Sequence, residues 1–110
     1  VDTAAARARL ETMLDDLDRS IAILRGERPG RDDSAADAGS GLTDSDRVEA
    51  ALDSLERHRR AVAAALDRVS AGTYGRCLGC GRPVPEGRLE ARPFAARCLT
   101  CQAAHDRAAR

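Results

Sequence analysis

Four cysteines carry the chemistry most readily assigned to this chain. Cys77 and Cys80 form one C-x-x-C pair, Cys98 and Cys101 form a second, and 17 residues separate the pairs. A two-residue spacer lets both sulfurs of a pair reach one ion at about 2.3 Å, and four thiolates complete the tetrahedral shell that Zn2+ prefers. With that shell filled by sulfur no position stays open for a reactive water, so the spacing predicts one structural Zn2+ and not a catalytic one. Gly79 and Gly81 supply the backbone freedom that such knuckles need. A redox dithiol would use one pair and leave the other without a purpose. His105, four residues after Cys101, is a poor competitor because the sulfurs already saturate the ion. A zinc tetrathiolate carries a net charge of about −2, and Arg76, Arg82 and Arg97 flank the cysteines as its compensating charges.

The elements that must hold this centre come from an unusual composition. The chain has 110 residues, 18 arginines and no lysine, 18 acidic residues, 22 alanines, and only Tyr74 and Phe94 as aromatics. Such a chain cannot build an aromatic-rich core, although its length suffices for one domain. Bound zinc would offset the thin core, since structural sites supply ~10–16 kcal/mol of apparent folding free energy in zinc-finger peptides. Four cysteines without a secretory signal point the same way, toward metal in a reducing compartment.

Heptad patterning dominates the first 71 residues. Leu10, Leu14, Leu17, Ile21 and Leu24 recur at spacings of 4, 3, 4 and 3, the narrow seam of a coiled coil. Asp2 or Thr3 caps this helix, over about residues 3–25, and Gly26, Pro29 and Gly30 end it. A second helix is expected over about residues 44–71, with Asp46 and Glu49 as a capping box and Gly72 as its stop. Its seam runs Val48, Leu52, Leu55, Arg59, Val62, Leu66 and Val69. Folding the two helices into an antiparallel hairpin brings Leu24 near Val48, Leu17 near Leu55 and Leu10 near Val62. Arg59, the one polar seam residue, then lies near Leu14, with Glu11, Asp15 or Asp18 to receive its head. His58 falls beside the seam and is expected at the surface. The second helix alone would be about 40 Å long, so the hairpin is a rod with a distant tip. Residues 32–46 form that tip and carry Asp32, Asp33, Asp37, Asp44 and Asp46 with no basic residue.

The expected fold class is therefore all-α: an antiparallel coiled-coil hairpin over residues 1–71, a four-cysteine zinc finger at its base over 72–101, and a short C-terminal helix over 102–110. A formal net charge of zero argues against bulk attraction to nucleic acid or anionic membrane. No apolar run approaches the ~18 residues of a membrane span. Nor does Val1-Asp2-Thr3-Ala4 open a signal peptide, which predicts a cytoplasmic protein. No Ser-His or Cys-His nucleophile, phosphate-cradling glycine loop or open metal position is visible, so no enzyme is expected. GATA-type DNA-binding fingers share the C-x2-C-x17-C-x2-C spacing. They need a recognition helix and a basic tail, however, and here nine residues follow Cys101, with Asp106 offsetting Arg107 and Arg110. A third class is an adaptor that presents the coiled coil to another assembly, such as the ribosome or a second copy.

Three further stretches carry a family likeness: Gly72-Thr-Tyr-Gly-Arg-Cys77-Leu-Gly-Cys80-Gly, Arg88-Leu-Glu-Ala-Arg-Pro93, and Cys98-Leu-Thr-Cys101-Gln102. Across residues 72–102 the chain resembles the TraR/DksA family of bacterial zinc-finger proteins. The resemblance implies a monomeric regulator of transcription that binds RNA polymerase and reads no DNA sequence. Its hairpin would pass through the secondary channel and bring tip aspartates toward the active centre. The family's tip pattern D-x-x-D-x-A is not reproduced: in register with the first zinc ligand, Asp37 holds the second aspartate position while Ser34 and Gly39 occupy the others. Asp37 is thus the first tip candidate, with Asp33 and Asp32 after it. Among positions resembling those that contact the nucleotide ppGpp, Arg92 is retained, but Ala61 and Gln102 stand where lysines are expected. Without those charges a phosphate-rich ligand loses much of its attraction, which predicts weak or absent ppGpp dependence. Compared with longer family members the chain starts late and resembles a compact one.

Overall fold

The computed structural model describes residues 2–26 and 38–109. Four helices follow in order: α1 (Thr3–Gly26), α2 (Ala38–Ala71), α3 (Glu86–Ala91) and α4 (Leu99–Ala108). The first two pack as an antiparallel pair, and the molecule measures 56 × 31 × 21 Å. Among the described residues no helix is long and apolar enough to cross a membrane.

Local chemistry explains most of the helix ends. Asp2 caps α1, its Oδ1 accepting from the Ala5 N–H at 3.1 Å while its carbonyl accepts from Ala6 at 3.0 Å. At the end of α2, Gly72 takes φ +78°, a value that favours a residue without Cβ. The Gly72 N–H then bonds the Val69 carbonyl at 3.2 Å and the Thr73 N–H bonds Arg68 at 2.9 Å, a complete Schellman closure. The start of α2 differs from expectation. It begins at Ala38 and not near residue 44, so Asp44 and Asp46 are exposed residues within the helix and not its cap. Adding a residue to a formed helix is far easier than nucleating one, and this extension overrides the ~1 kcal/mol by which Gly39 and Gly41 each disfavour it. Asp32, Asp33 and Asp37, with Ser34, Pro29 and Gly30, lie outside the described residues.

The hairpin seam is buried where the heptads place it. Leu10, Leu17 and Ile21 of α1 and Leu52 and Val62 of α2 are all at most 8 % exposed. Leu14, Leu24, Val48, Leu55, Leu66 and Val69 are half-buried at its edges. Arg59 reaches across to Asp18, one of the three acceptors expected for it, and a second interhelical pair joins Arg25 to Glu56. Asp18 raises the Arg59 pKa by its hydrogen bond and then by its charge. Both pairs are solvent-accessible, so they set register more than they stabilise, and salt weakens them.

Toward the base the seam widens into a second layer. Ala65, outside the heptad seam, is fully buried, and one cluster joins Leu10, Leu17, Val62 and Ala65 to Tyr74, Cys77, Val84, Leu89 and Ala95. The finger thus extends the hairpin core and is not a separate module on a tether. Helix α3, a short element that heptad reading did not anticipate, contributes Leu89 to this cluster from its inner face.

Candidate metal centre

Two different local structures deliver the cysteines. The first pair sits in a tight β-turn knuckle: the Cys77 N–H donates to the Arg82 carbonyl at 2.8 Å, Gly81 donates back to Cys77 at 2.9 Å, and Arg76 bridges Pro83. Gly75 and Gly81, at φ +86° and +75°, let the chain reverse at each end of this turn. The second pair belongs to the start of α4, which begins at Leu99, three residues before the expected position. Cys98, extended at φ −69° and ψ 168°, occupies the N-cap, and Cys101 follows one turn on, so both sulfurs share a helix face. The N-terminal end of α4 therefore lies at the sulfurs.

These turns bring all four Sγ atoms within 4.8 Å of one another, and none is in a disulfide. Four sulfurs at about 2.3 Å from a tetrahedral ion stand ~3.8 Å apart. Cys77 and Cys98 are 3.8 Å apart. The N–H groups of Gly79 and Cys98 both donate to Cys77 Sγ at 3.3 Å, a pattern that stabilises a thiolate. Donation from Cys98, followed by that from Cys80 and Gly79, lowers the Cys77 thiol to about 6. Cys101 is pushed up to about 12, because its S–H serves Cys98 and Cys77 and because burial disfavours its charge. The Cys77 sulfur is thus disposed to ionise while Cys101 holds its proton. A divalent cation substitutes for those protons, which is the chemistry of a tetrathiolate site. The donor set and its spacing fit such an ion.

Gly79 is essential to this packing for a reason that spacing alone does not reveal. A Cβ there would stand 2.8 Å from Cys101 Cβ and 2.9 Å from its Sγ. Gly79→Ala must displace the second knuckle and is expected to weaken metal affinity by about 10–100-fold, measured by competition with a chromophoric chelator. Gly87→Ala, whose Cβ would meet nothing within 4 Å, should leave affinity unchanged.

The other candidate residues are dispersed. Arg92 is exposed at the C-terminal end of α3, Ala61 is half-buried on α2, and Gln102 on α4 donates to Asp106 at 2.9 Å. Arg76 hydrogen-bonds the Gly81 carbonyl and Arg88 the Arg97 carbonyl, so arginines brace the knuckles through backbone oxygens. His58 is not the surface residue expected. It is half-buried, with the Phe94 ring edge-on at 4.7 Å and 65°. Phe94 and Tyr74, whose hydroxyl donates to the Pro93 carbonyl at 2.8 Å, are the joint between finger and hairpin. The only available signal was that both aromatics of the chain fall inside the finger region.

Comparisons with known proteins agree with this geometry. Residues 72–107 match the prokaryotic dksA/traR C4-type zinc finger. An uncharacterized protein of Aquifex aeolicus is 46% identical over 37 residues, covering 34% of this chain and 26% of that protein. One from Haemophilus influenzae is 58% identical over 26 residues, covering 24% of this chain and 35% of its own. The matched stretches are thus a minor part of either relative. Transcription factor DksA2 of Pseudomonas aeruginosa superposes with a TM-score of 0.84 at 24% identity, over 96% of this chain and 83% of that one, a likeness of fold. Residues 72–107 thus match the dksA/traR C4-type zinc finger in sequence and gather their cysteines as a C4 set, while the chain as a whole shares the fold of DksA2.

Proposed function

We propose that this protein regulates transcription by binding RNA polymerase, presenting the acidic end of its hairpin through the secondary channel while one structural Zn2+ fastens the finger at the other end. The observation that carries this reading is the likeness of fold, over 96% of the chain, to a protein that is itself a transcription factor. Charge placement supports it. Residues 32–46 hold five aspartates and no arginine, remote along the chain from the cysteines. A slender rod ending in carboxylates can enter a channel that excludes a globular domain, and carboxylates there can perturb a bound Mg2+ or compete for the groups that hold it. In this reading the protein turns over no substrate, reads no DNA sequence, and acts as a cytoplasmic monomer. With Ala61 and Gln102 where the resemblance expects lysines, Arg92 is the one retained cation of the three, so ppGpp is expected to alter its effect little or not at all.

Affinity capture from bacterial lysate followed by multi-round transcription tests the reading. The wild type is expected to recover polymerase subunits and to change promoter output. Asp37→Asn should be recovered equally well but should lose most of that effect. Capture without polymerase would overturn the assignment, whereas full activity of Asp37→Asn would overturn only the choice of tip residue.

A further inference from the structure

Where the start of α1 passes α3, the two helices leave an open cleft of about 240 Å³. Its floor is apolar and made of Tyr74, Leu89 and Pro93, all buried. Its rim is charged, with Asp2 and Arg9 on the hairpin side and Glu86 and Glu90 on α3. Two hydrogen bonds hold the walls in place. Arg9 Nη1 donates to the Glu90 carbonyl at 3.0 Å, which ties α1 to α3, and the Tyr74 hydroxyl donates to the Pro93 carbonyl at 2.8 Å. The shape is thus fixed without a ligand, so little ordering remains to oppose binding.

Charge and size together narrow what fills it. Three carboxylates line the cleft against one guanidinium, and that guanidinium is already engaged by a backbone carbonyl. Among the described residues the Glu90 carboxylate has no partner, and Asp2 uses one oxygen on the Ala5 N–H and leaves the other available. The rim therefore favours a cation. The volume falls below the ~300–1,000 Å³ of small-molecule pockets, and with the Tyr74 hydroxyl committed to Pro93 the floor keeps no free donor to read a ligand. What fits is a side chain with an apolar stem for the floor and a cationic head for the rim. Arginine suits it better than lysine, because a planar guanidinium engages two carboxylate oxygens at once and stacks on an aromatic ring. The shaft offers no equivalent. Its groove of about 530 Å³ is bordered by Asp18, Arg25, Glu56 and Arg59, whose charges are already paired across the hairpin.

We propose that this cleft is a docking pocket for an arginine side chain of a partner protein, its stem on Tyr74, Leu89 and Pro93 and its guanidinium held by Asp2 and Glu90, with Glu86 adding to the negative field. The pocket lies at the finger end of the hairpin and shares no residue with the aspartates of residues 32–46. An arginine seated there gives a partner a hold on the base of the rod that does not depend on the tip, so each can be tested without the other.

The zinc-loaded full chain is titrated, under nuclear magnetic resonance, with a short capped peptide carrying one arginine between alanines. The same peptide with citrulline keeps the shape and loses the charge. The arginine peptide is expected to give saturable shifts in residues 2–9 and 86–93 and in the ring of Tyr74, the chain's one tyrosine. Citrulline should bind about tenfold more weakly. Asp2→Asn still caps α1, and Glu90→Gln keeps the backbone carbonyl that Arg9 uses, so the double variant should stay folded and lose about tenfold in affinity. Asp53→Asn, at an exposed acid of α2 outside the cleft, should bind as the wild type does. No saturable shift, equal binding of the citrulline peptide, or an equal loss in Asp53→Asn would overturn the pocket. Self-association of the chain that the double variant abolishes would assign the cleft to a second copy and overturn docking of a separate partner.

Discussion

Cys77→Ser is expected to abolish tight zinc binding and to unfold the finger while leaving most of the hairpin helical. Cys77 is the best-anchored sulfur of the four, since it accepts two backbone N–H groups and stands in the buried cluster. Removing it leaves three donors, and an incomplete shell admits water. Structural zinc supplies ~10–16 kcal/mol of apparent folding free energy in zinc-finger peptides, more than the 5–15 kcal/mol typical of a whole domain at its lower end. Residues 72–101 should then become protease-sensitive. Leu52 and Ile21, 2 % and 5 % exposed in the seam and outside the shared cluster, should keep α1 and α2 paired. Zinc stoichiometry, limited proteolysis and far-ultraviolet circular dichroism read the three effects separately. Unchanged protease resistance of the finger would contradict a structural role for the metal.

The metal-free finger has a pH dependence whose sign is fixed by the sulfur chemistry. In the metal-free folded chain the Cys77 thiol lies at about 6, below its ordinary value, because Cys98, Cys80 and Gly79 donate to it. A depressed acid contributes stability that is present above its unfolded value and is lost as pH falls through the folded one. Metal-free finger stability should therefore decline as pH falls from the ordinary thiol range to about 6, read by limited proteolysis of residues 72–101 across that range. With zinc bound, acid acts by a second route: protons compete with the ion for sulfur, so metal affinity falls as pH falls.

How much of this was legible before the structure depended on whether burial follows a local period. The 4-3 spacing of Leu10, Leu14, Leu17, Ile21 and Leu24 reports burial directly, since one helix face meets one partner, and the cross-seam placement of Arg59 beside Asp18 follows from that register. The four cysteines were equally legible because the coordination shell restricts both residue type and spacing. What stayed hidden was decided by contacts distant in sequence. His58 is covered by Phe94, 36 residues later, and no helical period on α2 anticipates that. Ala65 reads as a surface alanine in the heptad and is buried because the finger packs over it. At Ala38 and Leu99 the helices begin earlier than their residues suggest. Cooperative extension overrides the glycines in one case, and in the other the cysteine pair is itself the first helical turn.

Leu10→Ala should be the most damaging substitution in the apolar seam, lowering stability by about 2–5 kcal/mol. Its side chain is 0 % exposed and belongs to the cluster that contains both Val62 of α2 and Leu89, Val84 and Tyr74 of the finger. A cavity there removes contacts from two interfaces at once, and a core with one tyrosine and one phenylalanine has little bulk with which to collapse into it. Ile23→Ala on the same helix, 60 % exposed, should stay within about ±0.5 kcal/mol. Urea unfolding of the zinc-loaded protein measures both, as a shift in midpoint at unchanged slope. Leu52→Ala provides the decisive contrast. Leu52 is as buried as Leu10 but outside the shared cluster, so its loss should weaken the shaft while the finger keeps its proteolytic resistance. Leu10→Ala should lower both together, because at the base of the rod hairpin and finger share one core.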